Sequence, residues 1–328
     1  MLIRVNRSTT MSTPLDWLSS LLVMMPVRGR LEIRCSYGAP WRVTYGQANP
    51  GETPYHVVLA GSAILESPDG GAPQYLTAGD IVLLPHGAEH VLHDGSGAPP
   101  SPVRSRNSLN VEISENAGNG DRLDMLCGRF VLSPPHDRLM RSYLPATLVV
   151  RASKSHDQPG QTETSAQLAT LVGLMRIESS MESLGSHAML NALSAALFAL
   201  TLRMAGESRA APVGLIAMAG QPRLTPALTA MFNRPEYPWT LPELAKLCNM
   251  SRATLIRHFR EKMSCSANDL LTDIRMTLAA NELKKPTNST EAVAEAVGYQ
   301  SLAAFRRAFT QRMGMTPGHW RRSAQALQ

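Results

Sequence analysis

Two stretches near the C-terminus carry one pattern fifty positions apart: Ser251, Leu255, Arg257 and Phe259 recur as Ser301, Phe305, Arg307 and Phe309. Each serine is placed to cap a helix start by accepting a hydrogen bond from a free backbone N–H. The two large apolar residues that follow lie four apart and so share one face of that helix, while the arginines fall beside it toward solvent. A short amphipathic run precedes each copy, over residues 241–248 and 290–297, followed by a tight turn holding Asn249 or Gly298. Helix, short turn, helix is the helix-turn-helix outline, and two copies predict an all-α C-terminal domain.

Charge separates this region from the rest. The 328-residue chain carries a net charge of +6, and residues 221–328 hold 15 Lys/Arg against 8 Asp/Glu. The preceding 220 residues hold 17 against 18, so all the net basicity lies with the repeat. A basic domain beside a neutral one points to a polyanionic partner for the basic half. The four cysteines, Cys35, Cys127, Cys248 and Cys265, are too few and too scattered for a secreted disulfide framework, and a reduced compartment follows. No apolar run is read as reaching the ~20 residues of a membrane span, nor does the start read as a signal peptide. The expectation is therefore a cytoplasmic protein with no membrane partner. Residues 1–11, ahead of or including the more convincing start at Met11, are expected to be a disordered or misannotated tail.

The remaining sequence divides by pattern. An amphipathic helix is expected over residues 12–25, with Trp17, Leu18, Leu21 and Leu22 on one side. Short β-prone runs at 31–35, 41–45, 55–60, 81–84 and 123–132, separated by turn residues, predict a sandwich or barrel. Residues 94–120, rich in Gly, Pro, Ser and Asn, are expected to form a mobile loop. Two helical runs follow over 161–204, and the second is apolar enough to be deeply buried or a dimer interface. The expected organisation is α+β: a β-barrel sensor domain over 12–150, a helical dimerisation or interdomain region over 151–206, a linker over 207–221 and the helical domain over 222–322.

The residues around the repeat resemble the AraC/XylS family of bacterial transcription regulators. The resemblance covers residues 222–322 and runs through WTLPELAKL from Trp239, MSRATLIRHFR from Met250, AVAEAVGYQSLAAFRRAF from Ala292 and GMTPGHWR from Gly314, with Trp320 where the family usually has tyrosine. It implies binding to double-stranded promoter DNA, most simply as a homodimeric activator working with RNA polymerase. By position in the family motif, the base-facing residues are Arg252, Ala253, Ile256 and Arg257 in the first reader helix and Leu302, Ala303, Arg306 and Arg307 in the second. Arginine can grip the guanine edge with two hydrogen bonds and small apolar residues can pack on thymine methyls, which favours Arg252 and Arg306 as sequence readers. Arg257 and Arg307 can equally contact phosphate, and Ile256 and Leu302 can be partly core. A linking helix would hold the two readers about one DNA turn, roughly 34 Å, apart.

In the N-terminal half, GDIVLLPHGAEH from Gly79 resembles the second motif of the cupin fold, whose histidine, here His90, points into the barrel. The first cupin motif is poor, offering only His56 and, more distantly, Glu66, which argues against a metal-dependent cupin enzyme fused to a basic domain. The segments LEIRCSYGAPW from Leu31 and LCGRFVL from Leu126 resemble the reactive-chlorine-responsive regulator within the AraC/XylS family. That resemblance implies a redox pair in Cys35 and Cys127. If His56 and His90 share their pocket, imidazole would favour the thiolate, and the four could hold zinc in a Cys₂His₂ site. Buried structural thiols, core histidines and a small-molecule effector in the barrel are the competing readings. His86 and His93 are expected at the rim, and Cys248 and Cys265 to be structural.

Overall fold

A computed structural model describes residues 15–68, 70–151, 161–208 and 214–325; residues 1–11, expected as a tail, lie outside these. A first helix, α1 (Trp17–Met24), leads into β1 (Val27–Gly38), β2 (Arg42–Tyr45), β3 (Glu52–Ala60), β4 (Ser62–Glu66), β5 (Gln74–Thr77), β6 (Asp80–Leu83), β7 (His90–His93), β8 (Val103–Asn107), β9 (Glu112–Asn116) and β10 (Arg122–Leu132). Helix α2 (His136–Tyr143) and strand β11 (Leu148–Arg151) close this part. Then come α3 (Gln161–Glu178), α4 (Ser186–Glu207), α5 (Leu215–Ala219), α6 (Thr225–Asn233), α7 (Leu241–Leu247), α8 (Arg252–Met263), α9 (Ala267–Leu283), α10 (Thr290–Ala296), α11 (Leu302–Met313) and α12 (Pro317–Gln325).

The strands form a seven-stranded sheet, β11-β6-β3-β10-β1-β9-β8, facing a four-stranded sheet, β2-β7-β4-β5. Between them lies a core of Cys35, Tyr37, Trp41, Val58, Leu65, Val82, Leu92, Met125 and Cys127. The other face of the large sheet carries Tyr55, Val57, Ile81, Leu83, Leu126 and Phe130, which pack under the helices. Alternation along β3 and β10 puts neighbouring residues in different cores, as a sheet buried on both faces requires.

Strand β1 belongs to both cores through a break in its own alternation. Its pairing with β10 shifts register between Leu31 and Ile33. An extra residue in one strand turns the following side chains to the opposite face. Leu31 therefore packs with the helical layer, whereas Cys35 and Tyr37 enter the space between the sheets. Ahead of the bulge, a Cβ on Gly29 would lie 2.4 Å from the Ser194 Cβ, so only glycine lets α4 rest directly on β1. The Tyr55 hydroxyl and Ser194 Oγ, 2.8 Å apart, and the Phe130 and Phe198 rings, 4.9 Å apart, complete that contact.

Several expectations are revised. Residues 94–120 include β8, an edge strand whose every residue is exposed, and β9, a mostly polar strand paired between β8 and β1. The stretch expected as a linker contains α5, whose Leu215, Ile216 and Met218 are buried. Contrary to the sequence reading, α4 is by length and composition long enough and apolar enough to cross a membrane. Here it is a core helix, with Leu190, Ser194, Leu197, Phe198 and Thr201 buried. The two halves also share a core: one apolar cluster runs from Trp17 and Leu21 through the sheet and helices to Leu270 and Ile274, while the second helix-turn-helix keeps its own around Phe305 and Phe309.

The inter-sheet core also encloses two histidines. Burial, reinforced by the neighbouring His90 ring, holds His56 well below its ordinary value of 6.5, and burial lowers His90 as well. Unfolded, both rings titrate near 6.5, so the unfolded chain binds more protons below that pH. Stability is fully present above about pH 7 and is lost as pH falls through 6.5 toward the lowered folded values. The unfolding free energy of the wild-type protein, from urea titrations, is expected to drop between pH 7.5 and pH 5.0 by up to about 2 kcal/mol per histidine, and His56→Gln is expected to shrink the drop.

Candidate functional site

Sheet register brings the four predicted sensor residues together. Cys127 on β10 pairs directly with His56 on β3, and Cys35 on β1 stands diagonally across from it on the same face. The Sγ atoms of Cys35 and Cys127 are 3.7 Å apart, Cys127 Sγ lies 3.2 Å from His56 Nδ1, and His56 Nε2 lies 2.7 Å from His90 Nε2. His90 reaches in from β7 of the smaller sheet, with its Nδ1 2.9 Å from the Ala88 carbonyl. All four side chains are buried. Both thiols are free, as are those of Cys248, buried at the end of α7, and Cys265.

Sequence reasoning missed Tyr45. It pairs with His90 across β2 and β7, stacks on the His90 ring at 4.9 Å and sets its hydroxyl 3.5 Å from Cys127 Sγ. A tyrosine at a strand end gives no sign in sequence of which core it enters. Its phenol is pushed well up by burial and remains a donor at neutral pH. The two thiols differ: a hydrogen bond from Cys127 holds Cys35 below its ordinary value, while burial pushes Cys127 well above it. His86 is half-buried, its Nε2 donating to the Leu144 carbonyl at 3.1 Å, and His93 is half-buried too, 3.6 Å from Glu66.

This arrangement does not fit the expected Cys₂His₂ zinc site. The groups run in series, His90, His56, Cys127, Cys35, and His56 has a neighbour on each ring nitrogen. A tetrahedral site needs four donors converging on one point. Among the described residues, no group of three or more His, Cys, Asp or Glu is placed to hold a metal ion.

At the other end of the chain, α7 and α8 form the first helix-turn-helix and α10 and α11 the second. Ser251 Oγ accepts from the Thr254 N–H at 3.1 Å, and Ser301 Oγ accepts from the Ala304 N–H at 3.3 Å, so both serines cap as expected. Asn249 and Gly298 both turn the chain with positive φ, 50° and 84°. A Cβ on Gly298 would meet the Glu236 carbonyl oxygen at 2.2 Å, so that turn needs glycine for space as well. The second turn is one residue longer, Gln300 standing between Tyr299 and the capping serine. Leu255 and Phe259, like Phe305 and Phe309, are buried. Arg252, Ala253, Arg257, Ala303, Arg306 and Arg307 are exposed, while Ile256 and Leu302 are half-buried. Arg257 lies 3.9 Å from Glu261 on its own helix, and Arg306 lies 3.8 Å from Glu291 on α10.

Helix α9 joins the two motifs and is held from several sides. It is 17 residues long, about 25 Å. Arg312 of α11 pairs with Asp269 at 2.6 Å and Asp273 at 3.3 Å, and the Trp320 indole donates to the Ala280 carbonyl at 2.9 Å. The tryptophan that departs from the family pattern thus still places a polar tip on a backbone acceptor. From the N-terminal half, the Tyr143 hydroxyl donates to Asp273, the His136 ring meets Asn281 Oδ1 at 2.9 Å, and Lys284 donates to the Pro134 carbonyl at 2.8 Å. Asp273 therefore receives both a sensor-side tyrosine and a reader-helix arginine.

Comparison with known proteins agrees with both halves. Residues 16–205 match the model of a cupin family, and residues 244–323 match a helix-turn-helix domain. An uncharacterized helix-turn-helix transcriptional regulator of Haemophilus influenzae is 27% identical over 94% of this chain and 99% of its own length. The transcriptional regulator MtrA of Neisseria gonorrhoeae is 29% identical over 94% of this chain and 98% of its own length. The RCS-specific transcriptional activator RclR of Escherichia coli is 26% identical over 95% and 99%. With a cupin domain in front and two helix-turn-helix motifs behind, the chain belongs to the AraC family of DNA-binding transcription regulators.

Proposed function

We propose that this regulator senses an oxidant of the reactive-chlorine class through Cys35 and Cys127 and changes its grip on promoter DNA in response. The observation that carries the reading is the enclosed thiol pair, 3.7 Å apart with an imidazole in contact. A disulfide needs the sulfurs to close to about 2.05 Å, a small movement from this starting point. The name of the Escherichia coli relative, an RCS-specific activator, agrees with it. An effector held inside the barrel is less favoured, because Tyr37, Trp41, Leu65, Val82 and Leu92 already fill the space between the sheets. Oxidation would shift β1 and β10 and, through the helices packed on them, the Tyr143–Asp273–Arg312 contact at α9.

The residues facing DNA are Arg252, Ala253, Ile256 and Arg257 in the first motif and Leu302, Ala303, Arg306 and Arg307 in the second, with Arg252 and Arg306 reading bases and Arg307 holding a phosphate. Arg252 has no acidic partner nearby among the described residues, which leaves it free for a base edge. Arg306 must first leave Glu291. For self-association, α3, α4 and the turn between them carry Leu174, Ile177, Met181, Leu184 and Met189, all exposed, beside Ala188, Ala192 and Ala196. A patch of this kind is where a second copy would dock.

Three measurements test these readings. In gel shifts with a promoter fragment, hypochlorite-treated wild-type protein is expected to differ from reduced protein by about tenfold in affinity, and Cys35→Ala to stay at the reduced value; identical shifts throughout would leave the small-molecule effector as the better reading. Arg252→Ala is expected to weaken operator binding about ten- to a hundredfold and relax preference at one base pair, whereas Arg307→Ala should weaken all sequences alike and lower the salt slope by about one. The double variant Leu174→Lys, Ile177→Lys is expected to sediment as a monomer where the wild type sediments as a dimer.

A further inference from the structure

The hydrogen-bond chain through the thiol site has a direction, set by its far end. The Ala88 carbonyl only accepts, so His90 carries its proton on Nδ1 and leaves Nε2 as an acceptor. Burial keeps both rings neutral, so His56 must donate from Nε2 to His90 Nε2, and His56 Nδ1 is left as a bare lone pair. The contact facing that lone pair is the Cys127 thiol at 3.2 Å. Cys127 has one proton and points it at His56, which leaves its sulfur to accept from Cys35 at 3.7 Å. Each donor is thereby matched to one acceptor from Cys35 to a backbone carbonyl.

We infer that His56, oriented by His90, is the base that accepts the proton of the thiol pair, and that it does so through Cys127, leaving the thiolate on Cys35. This rests on the redox reading above and names its working parts. When Cys127 passes its proton to His56 Nδ1 and takes one from Cys35, the same bonds reverse: His56 donates to Cys127 and Cys127 donates to the Cys35 thiolate. The low Cys35 and high Cys127 thiols agree with that outcome, and the Cys35 thiolate is the counter-charge that lets a ring otherwise kept neutral by burial carry the proton. His90 is a positioning residue, since it fixes the His56 tautomer without touching sulfur. The other titratable groups facing the thiols are Tyr37 on β1 and Tyr45 on β2, and the charges of Glu112 and Glu32 act on Cys35 and Cys127 from further off. None of these four can serve as a base in contact with Cys127, because both phenols stay protonated and neither carboxylate bonds to the sulfur.

With hypochlorous acid the balance closes. The Cys35 thiolate attacks chlorine, the O–Cl bond breaks, and hydroxide leaves and takes the proton from His56 as water; sulfur is oxidised and chlorine reduced. The Cys127 thiol then attacks the sulfenyl chloride, chloride leaves, and the Cys127 proton passes to His56 as the disulfide forms.

The test follows Cys35 alkylation by iodoacetamide against pH in the full-length reduced protein, located by peptide mass spectrometry. His56→Gln and Cys127→Ala are expected to move the midpoint upward by at least one pH unit and to slow alkylation at pH 7 about tenfold. Cys127→Ser keeps a hydroxyl that can pass the proton and is expected to lose much less. His90→Phe, which removes the acceptor for His56 Nε2, should shift the midpoint in the same sense. Circular dichroism and the melting temperature of each variant separate these shifts from unfolding. An unchanged Cys35 profile in folded His56→Gln, or equal losses in Cys127→Ser and Cys127→Ala, would overturn the inference and leave the redox reading standing. The profile shifting as described while hypochlorite leaves operator binding unaltered would overturn the redox reading alone.

Discussion

Strand β1 serves two cores, and it can do so because the register shift between Leu31 and Ile33 reverses the face to which its odd-numbered residues point. Before the shift, Gly29 and Leu31 lie under α4; after it, Cys35 and Tyr37 lie between the sheets. Without the extra residue, Cys35 would face the helices and stand apart from Cys127. A one-residue slip moves a whole set of side chains across a sheet, so this bulge is held in place by burial on both sides. The site and the packing of α4 therefore depend on the same backbone feature.

The thiol site also joins the two sheets. Cys35, Cys127 and His56 come from the large sheet and Tyr45 and His90 from the small one. Buried polar groups are costly unless each has a partner, and a line of donors and acceptors ending on a backbone carbonyl satisfies every member. Forming a covalent bond at one end of such a line changes who donates to whom along it. A closed, fully matched site is thus stable in its reduced form and poorly matched once a disulfide has replaced the two thiols.

The DNA-binding half is not an appended module. Helix α1, at the start of the sensor, packs on α6, with Ser20 Oγ donating to Asn233 Oδ1 at 2.9 Å and Asn233 donating to the Leu15 carbonyl at 2.6 Å. Helix α9, which sets the relation between the two reader helices, takes contacts from α2 and the segment before it through Tyr143, His136 and Pro134. Packed interfaces shift between discrete arrangements rather than deforming continuously. A change in the sensor strands can reach α9 through a continuous core without any flexible tether.

Much of this was legible in the sequence where the signal is local. Serine caps, left-handed turn residues and apolar residues four apart act within a turn or two of the chain, so both helix-turn-helix motifs could be read directly, as could strands β1, β3 and β10 from their β-branched and apolar runs. Cys35, Cys127, His56 and His90 were picked out through motif resemblance, but whether they meet depends on pairings between strands up to 92 positions apart. Strand β8 left no pattern because an exposed edge needs no apolar face, β9 because its five residues are largely polar, and Tyr45 left none because its role comes from the strand opposite. By itself the sequence determined the types of element, the basic output domain and the candidate sensor residues. The tertiary structure decided the serial order of thiols and imidazoles, the misfit to a metal and the seating of α9 against the sensor, because register, bulges and packing are settled only when distant segments are brought into contact.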